Sequence, residues 1–258
     1  MNALALVTGA TSGIGRAFAD RLAADGYDLI AVGRDTARLA DLVASHPNVT
    51  VRPLAADLAT PDGIEKVAAA AAAEPVDLLV NNAGVAHYMP FAELPAHRAA
   101  EVVNVKILAA TLLARAVLGG MLDRGAGTII NVGGMIAFSG PAPSSVTPRR
   151  AVYGGALAYL LAFSQLLAAE LEGTGVRVQA LLPGVVATEF HTRQGIDLSG
   201  IPRMSAEDVV TASLRGLELG ETVTAPGVAD PSLLDAAFAA SLAAFGGQRP
   251  ELAARYRS

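Results

Sequence analysis

The sequence has 258 residues, which is enough for one large α/β domain around a single core. About 52% of the residues are hydrophobic and 17% are charged, which excludes an intrinsically disordered chain. The net charge of −5, with no run of basic residues, argues against a nucleic acid or an anionic membrane surface as partner.

The chain has no cysteine, so disulfides, thiolate catalysis and cysteine metal sites are excluded. Its four histidines show no metal-ligand spacing, and we expect no metal. The first residues lack the charged segment that opens a signal peptide, which favours a cytoplasmic protein.

In chain order, short apolar runs alternate with amphipathic stretches. This pattern predicts βαβ units and a doubly wound parallel sheet with helices on both faces. The predicted strands cover residues 4–7, 29–32, 49–54, 78–80, 128–132 and 176–182. The predicted helices cover residues 16–25, 37–45, 64–73, 97–122 and 153–171, and two more begin at residues 206 and 232.

One segment, residues 151–169, carries no charge and is about long enough to cross a bilayer. It also contains two glycines, a serine and a glutamine, and its neighbours alternate as in a soluble α/β protein. We therefore interpret it as a core helix at a subunit interface.

The first strand leads directly into Thr8-Gly-Ala-Thr-Ser-Gly-Ile-Gly15, after which a helix begins at once. Glycines in such a turn allow a close approach of the backbone to a pyrophosphate. The helix N-terminus then offers free N–H groups and its dipole to the anion. The strand, turn and helix together predict a dinucleotide site.

The spacing T-G-x-x-x-G-I-G resembles the short-chain dehydrogenase/reductase family, and other family motifs follow in order. They are Asp57-Leu58, Asn81-Asn82-Ala83-Gly84, Asn104, and Pro183-Gly184 followed by Thr188. The resemblance covers residues 4–190 and implies a single-domain Rossmann fold, residues 1–258, that binds a nicotinamide dinucleotide. The cofactor-binding residues that it implies are Gly9, Thr11, Ser12, Gly13, Ile14, Arg34, Asp57, Leu58, Asn81, Ala83, Gly84, Pro183, Gly184, Val186 and Thr188.

The choice between NAD and NADP depends on the end of the second strand, where NAD-binding proteins place a carboxylate for the ribose 2′-hydroxyl. This chain has Gly33 and then Arg34, and a guanidinium suits a 2′-phosphate. We therefore expect NADP(H). The alternative is that Arg34 is a solvated loop residue and that Asp35 binds the ribose.

The resemblance also implies a catalytic set of Ser, Tyr and Lys with an Asn, and this chain departs from it. Tyr153 falls on the family's tyrosine, but the lysine position is Leu157 and the serine position is Gly134. In the family the tyrosine donates a proton, and the lysine lowers its pKa and holds the ribose. Of the four residues, Asn104 and Tyr153 remain as catalytic candidates.

A tyrosine without a neighbouring lysine keeps a pKa of about 10 and stays protonated at neutral pH. It can donate a proton but serves poorly as a base, so the remaining set favours reduction over oxidation. Alternatively, Tyr153 is a core or interface residue, and a substrate hydroxyl or water supplies the proton. Hydroxyls in the longer segment before the helix are interpreted as loop groups, and two arginines there as solvated residues or contacts to an acidic substrate: Ser139, Ser144, Ser145, Thr147, Arg149 and Arg150.

Three loops at the carboxyl ends of the strands, residues 87–94, 138–152 and 189–204, are expected to contact the substrate. They carry apolar side chains and few charges, which favours a bulky, largely apolar substrate, and residues 189–204 have the character of a lid. Lost catalytic residues also occur in the family's antibiotic-pathway reductases. That resemblance implies a ketoreductase of aromatic polyketides such as angucyclinones.

The alternative is a non-redox protein, a cyclase or a regulatory pseudoenzyme, that retains NADP as a structural component or as a signal. The family usually associates through the helices that match residues 97–122 and 153–171. The resemblance therefore implies a homodimer or homotetramer acting on a small-molecule substrate.

Overall fold

The computed structural model of the chain describes residues 2–140, 142 and 149–257. The chain divides into two compact units, Met1–Pro226 and Gly227–Ser258. That the whole chain is one domain stays a prediction. Ser144, Ser145 and Thr147 lie outside the described residues.

The first unit is built on a seven-stranded parallel sheet, in the part of the chain described, with strand order β3-β2-β1-β4-β5-β6-β7. The strands are β1 Leu4–Thr8, β2 Asp28–Gly33, β3 Val51–Ala55, β4 Leu78–Asn81, β5 Gly127–Val132, β6 Val176–Leu181 and β7 Val223–Thr224. The strand order reverses direction next to β1, between β1 and β4. Ligands of open α/β sheets bind at such a switch point.

Helices cover both faces of this sheet, so the predicted α/β fold is confirmed. They are α1 Gly13–Ala24, α2 Thr36–Ser45, α3 Pro61–Ala72, α4 Ala96–Val103, α5 Ala109–Arg124, α6 Ala151–Glu170, α7 Glu189–Arg193 and α8 Ala206–Glu218. One core cluster joins the sheet to α1, α2 and α8, and a second joins it to α3, α5 and α6.

Strand β1 shows why the strands are apolar without alternation. Ala5 and Val7 belong to the first core cluster, whereas Leu4 and Leu6 belong to the second. Successive side chains of a strand point to opposite faces, and both faces are covered here, so every position is buried.

The long helix expected over residues 97–122 is interrupted. A π-helical segment, Asn104–Leu108, separates α4 from α5, so the chain gains an extra residue in one turn at that point. Two short elements were not predicted from the sequence, β7 and α7. Both are too short to give a periodic pattern.

Two helical stretches, Ala96–Arg124 and Ala151–Glu170, are long and apolar enough to cross a membrane by length and composition. Some of their buried side chains, among them Leu113 and Leu167, belong to the core cluster that also contains Ile129 of β5 and Val178 of β6. Others, among them Val102 and Leu160, form a third cluster.

The second unit contains α9, Ser232–Gly246, and a short 3₁₀ turn at Ala254–Tyr256. None of the residues of α9 is buried, although Leu233, Leu242 and Phe245 are large and apolar.

Candidate active site

One cavity of about 370 Å³ runs along the carboxyl ends of the strands. Residues at or within two positions of the ends of six strands line it: Gly9 after β1, Gly33 in β2, Ala56 after β3, Asn82 after β4, Gly133 after β5 and Pro183 after β6. Its size is within the range of cofactor and substrate pockets.

The turn after β1 forms one wall of this cavity. Gly9 and Gly13 have φ values of 66° and 54°, which favour glycine. A Cβ on Gly15 would lie 2.2 Å from the Gly9 carbonyl oxygen and 2.3 Å from Asn82 Nδ2, so only glycine fits there. Helix α1 begins at Gly13, and the Ser12 side chain makes no capping hydrogen bond. The first N–H groups of α1 are therefore available to a phosphate.

Thr8 and Asn82 connect this turn to the one after β4. Thr8 Oγ1 accepts hydrogen bonds from the backbone N–H groups of Asn82 (2.9 Å) and Ala83 (3.0 Å) and donates to the Val80 carbonyl. Asn82 Nδ2 in turn donates to the Thr8 carbonyl at 2.9 Å. The two turns therefore form one rigid wall.

The residues after β2 and β3 line the opposite end of the cavity. Arg34 faces the cavity from an exposed position, and Asp57 and Leu58 line it as well. Asp35 does not line it. Its carboxylate caps α2 by accepting hydrogen bonds from the N–H groups of Ala37 (3.0 Å) and Arg38 (3.1 Å).

Most of the residues implied by the family resemblance come together along this cavity, and two do not. Asn81 is buried below the cavity wall, where its Nδ2 donates to Asn131 Oδ1 (2.9 Å) and to the Ala110 carbonyl (3.1 Å). Asn104 Nδ2 donates to the carbonyl of Ala59 at 2.8 Å. The roles of both in cofactor binding and catalysis stay predictions.

Tyr153 lines the cavity from the first turn of α6 and is only 7% exposed. Its ring contacts Tyr88 edge-on, with centroids 5.6 Å apart, and Phe190 at 6.2 Å. Burial raises the pKa of Tyr153 well above the ordinary value of tyrosine, and the charge of Tyr88 and a hydrogen bond with it raise this pKa further. The phenol therefore remains protonated.

Gly134 and Leu157 lie together on the cavity wall beside Tyr153. A Cβ on Gly134 would be 3.3 Å from Leu157 Cδ1 and 3.5 Å from the Pro183 carbonyl oxygen. Leu157 is fully buried. The side chains at these two positions are therefore apolar, and their correspondence to the family's serine and lysine stays a prediction.

Ser139 does not supply the missing hydroxyl. Its Oγ donates to the Ile136 carbonyl at 2.6 Å and accepts from Arg150 Nη2 at 2.6 Å. The interpretation of Ser139 as a loop group agrees with these contacts.

Residues of the segment after β6 line the cavity, and the role of residues 189–204 as a lid stays a prediction. Thr188 caps α7, and Phe190, His191 and Arg193 line the cavity. Arg193 Nη1 donates to Ser12 Oγ at 3.3 Å, and Glu189 bonds to both Arg193 and Arg38 (3.1 Å for Arg38 Nη1). Polar contacts thus hold α7 against the turn after β1 and against α2.

The family model described as short chain dehydrogenase matches residues 3–198. The chain belongs to the short-chain dehydrogenase family. Among curated relatives, a very-long-chain 3-oxoacyl-CoA reductase from Mus musculus is 30% identical over 227 residues, which are 85% of this chain and 70% of that protein. The chain spans between 60 and 70% of the length of the first curated relatives that it matches.

Two solved structures match the fold over nearly the whole length. A short-chain dehydrogenase from Sphingobium yanoikuyae in complex with NADPH is 34% identical, with a TM-score of 0.92, and the match covers 99% of this chain and 100% of that one. A bulky-bulky ketone specific alcohol dehydrogenase from Comamonas testosteroni is 29% identical, with a TM-score of 0.89 and 99% coverage of both chains.

The cavity also contains residues that the sequence analysis did not single out as site residues, namely Tyr88, Lys106, His191 and Arg193. Lys106 has a signal in the sequence, since it is the one charged residue between Glu101 and Arg115. Tyr88 falls in the loop of residues 87–94 that was expected to contact the substrate, but its contact with Tyr153 depends on the path of that loop. Among the described residues, no three His, Asp or Glu side chains cluster as a metal site would.

Proposed function

We propose that this protein is an NADPH-dependent reductase of bulky, largely apolar ketones that operates without the family's serine and lysine. The observation that carries the proposal is the single cavity that joins the phosphate-binding turn to Tyr153. A cofactor and a carbonyl compound can therefore be held end to end in it.

Three features support NADP(H) over NAD(H). Arg34 lines the cavity and is positioned for a 2′-phosphate. Asp35, the alternative ribose ligand, is already engaged as the cap of α2. The similar protein from Sphingobium yanoikuyae is described in complex with NADPH.

The protonation of Tyr153 determines which catalytic role its phenol can take. The cofactor supplies a hydride to the carbonyl carbon when it is bound. Because the pKa of Tyr153 is raised, its phenol is a hydrogen-bond and proton donor to the developing alkoxide throughout the physiological pH range. It cannot act as the base that alcohol oxidation needs, so reduction is favoured.

The walls around Tyr153 support an apolar substrate. Tyr88, Met135, Ile136 and Phe190 line this part of the cavity. The similar protein from Comamonas testosteroni is described as specific for bulky-bulky ketones. Aromatic polyketides such as angucyclinones belong to the same size class, and a phenol next to their carbonyl could donate the proton internally.

The test is the oxidation of NADPH, followed by absorbance, with a panel of diaryl ketones, long-chain 3-oxoacyl thioesters and phenolic polyketides. We expect turnover with at least one bulky ketone and little with small ones. A second candidate, a non-redox NADP-binding protein, is favoured by the apolar Gly134–Leu157 wall. Tight NADPH binding by calorimetry with no turnover across the panel would support that candidate and contradict ours.

Tyr153→Phe tests the proton donor. We expect kcat to fall roughly 100-fold or more, the effect of losing a general acid, while the Kd of NADPH stays unchanged. The rate of the unmodified protein should show no alkaline limb from Tyr153, because the pKa of this phenol is raised. Tyr159→Phe is the matched control, since Tyr159 bonds to Thr111 (2.8 Å) on the other side of α6. An unchanged kcat in Tyr153→Phe would assign the proton to the substrate or to water.

A further inference from the structure

Lys106 is a charged side chain in an apolar interior. It is 5% exposed and lies in the π-helical segment between α4 and α5. Its Nζ donates one hydrogen bond, to the Val132 carbonyl at 3.1 Å. Among the described residues no carboxylate forms an ion pair with it, and burial lowers the pKa of Lys106 to about 8. A buried ammonium without a counter-charge is costly unless a ligand also uses it.

The position of Lys106 is set by Gly84, in the turn after β4. A Cβ on Gly84 would lie 2.6 Å from Lys106 Cε and 2.7 Å from Nζ, so the lysine reaches the cavity wall through the space that this glycine leaves. Lys106, Gly84 and Val132 all line the large cavity, as do Tyr153 and Leu157.

The order of the strands indicates that the nicotinamide half of the cofactor would lie next to Lys106. The 2′-phosphate end belongs after β2, at Arg34, and the pyrophosphate after β1, at the Gly9–Gly15 turn. The next strands in the sheet are β4, which is followed by the turn with Gly84, and β5, which ends at Val132. The nicotinamide half of a dinucleotide laid across these strand ends therefore passes over Lys106.

The unused N–H donors of Lys106 also indicate a ligand at this position. An ammonium has three N–H donors, and the Val132 carbonyl uses one. A small cavity of about 10 Å³ below the wall is lined by Lys106 and by Asn81, whose Oδ1 is buried without a partner among the described residues. Lys106 therefore lines both this small cavity and the one of about 370 Å³. Leu157 and Gly134 offer no acceptor on their side chains, so a ligand hydroxyl is the group that fits.

We propose that Lys106 holds the ribose hydroxyls of the nicotinamide half of NADPH. Its ammonium, on the π-helical segment between α4 and α5, takes the place of the ammonium that α6 lacks because position 157 is a leucine. This proposal rests on the cofactor proposed above. Lys106 is a positioning residue in this view, because it fixes the ribose and through it the nicotinamide relative to Tyr153.

The test is calorimetry on Lys106→Met with three ligands. NADPH and 2′-phospho-ADP-ribose contain the ribose in question, whereas 2′,5′-ADP ends before it. We expect the variant to bind the first two at least 10-fold more weakly and 2′,5′-ADP within twofold of the unmodified protein. Lys66→Met is the matched control, because Lys66, the other lysine of the chain, is exposed and bonds to the Ala55 carbonyl.

The outcomes separate the two proposals. If the unmodified protein binds none of the three ligands, the proposed cofactor is wrong. If it binds them and Lys106→Met weakens all three equally, or none, the role of Lys106 is wrong. The double variant Lys106→Met/Leu157→Lys should recover NADPH affinity at least in part, and no recovery would assign the loss to packing and overturn the proposal.

Discussion

Arg34 and Asp35 are adjacent after β2, yet the structure separates their roles. The sequence alone allows either side chain to contact the adenosine ribose. The start of α2 decides between them, since its first free N–H groups are satisfied by the Asp35 carboxylate. Arg34 is left facing the cavity.

Arg34→Ala should therefore weaken NADPH and spare NADH. A charge-assisted hydrogen bond to a phosphate contributes about 1.5–3 kcal/mol, so we expect the Kd of NADPH to rise at least 10-fold. The Kd of NADH should change less than twofold, and fluorescence titration measures both. Arg52→Ala is the control, because Arg52 pairs with Glu74 on the surface. Equal losses for the two cofactors would show that Arg34 does not contact the 2′-phosphate.

Tyr153 illustrates what a single position in the sequence predicts and what it does not. The family motif predicted its place in the cavity, and a leucine at position 157 predicted that its phenol stays protonated. The size of the rise in its pKa was not predictable, because this rise comes from burial and from Tyr88, a residue 65 positions away in the chain.

At the scale of elements, α1 and the turn before it show the closest agreement between sequence and structure. The glycines of this turn are needed for local reasons, namely the positive φ of Gly9 and Gly13 and the close approach of Gly15 to Gly9. Local requirements of this kind are visible in a sequence pattern. The predicted helix began at residue 16 and the observed one begins at Gly13, because glycine obscures the start.

Gly15→Ala should damage both stability and binding. Its Cβ would lie 2.2 Å from a backbone oxygen, so the turn must shift. We expect the free energy of unfolding to fall by about 1–3 kcal/mol and 2′,5′-ADP binding to fall at least 10-fold. Gly119→Ala in α5 is the control, because a Cβ there meets no atom within 4 Å, and we expect it to stabilise by about 0.5–1 kcal/mol. Urea denaturation and calorimetry measure these quantities, and intact binding in Gly15→Ala would argue against a phosphate at this turn.

Unlike the glycine turn before α1, the interruption of the long helix at Asn104–Leu108 could not be predicted from the sequence. Hydrophobic periodicity predicts a continuous helix over residues 97–122, because a one-residue insertion barely alters the pattern. The π segment nevertheless contains Lys106, whose Nζ reaches Val132 at the end of β5. The π-helical segment, which hydrophobic periodicity does not detect, thus places the charged Lys106 side chain at the cavity.

At the scale of the whole molecule, two helices carry apolar side chains that the described part of the chain leaves exposed. Leu112 of α5 is 42% exposed and Leu166 of α6 is 66% exposed. The uniformly apolar sequence of α6 predicted an interface helix, and only part of it is buried in the described chain. An association of chains through α5 and α6 would cover these residues.

Leu166→Asp should reduce the assembly to smaller species, because a carboxylate would be buried at the contact. Size-exclusion chromatography with light scattering gives the mass, which we expect to be two or four chains for the unmodified protein. Leu219→Asp is the control, since Leu219 is 60% exposed at the end of α8. A variant with the mass of the unmodified protein would place the interface elsewhere.

The sequence by itself determined the parallel sheet and the glycine turn after β1, because both depend on local periodicity or on residue identity at a known spacing. That this turn binds a phosphate and that the family's serine and lysine are replaced stay predictions. The tertiary structure decided which groups surround Tyr153 and which ammonium faces the cavity. Tyr88, Lys106 and Arg193 come from separate loops and helices and converge only when the strand ends are aligned. Contacts between residues far apart in the chain leave no periodic pattern, so they depend on how the fold packs.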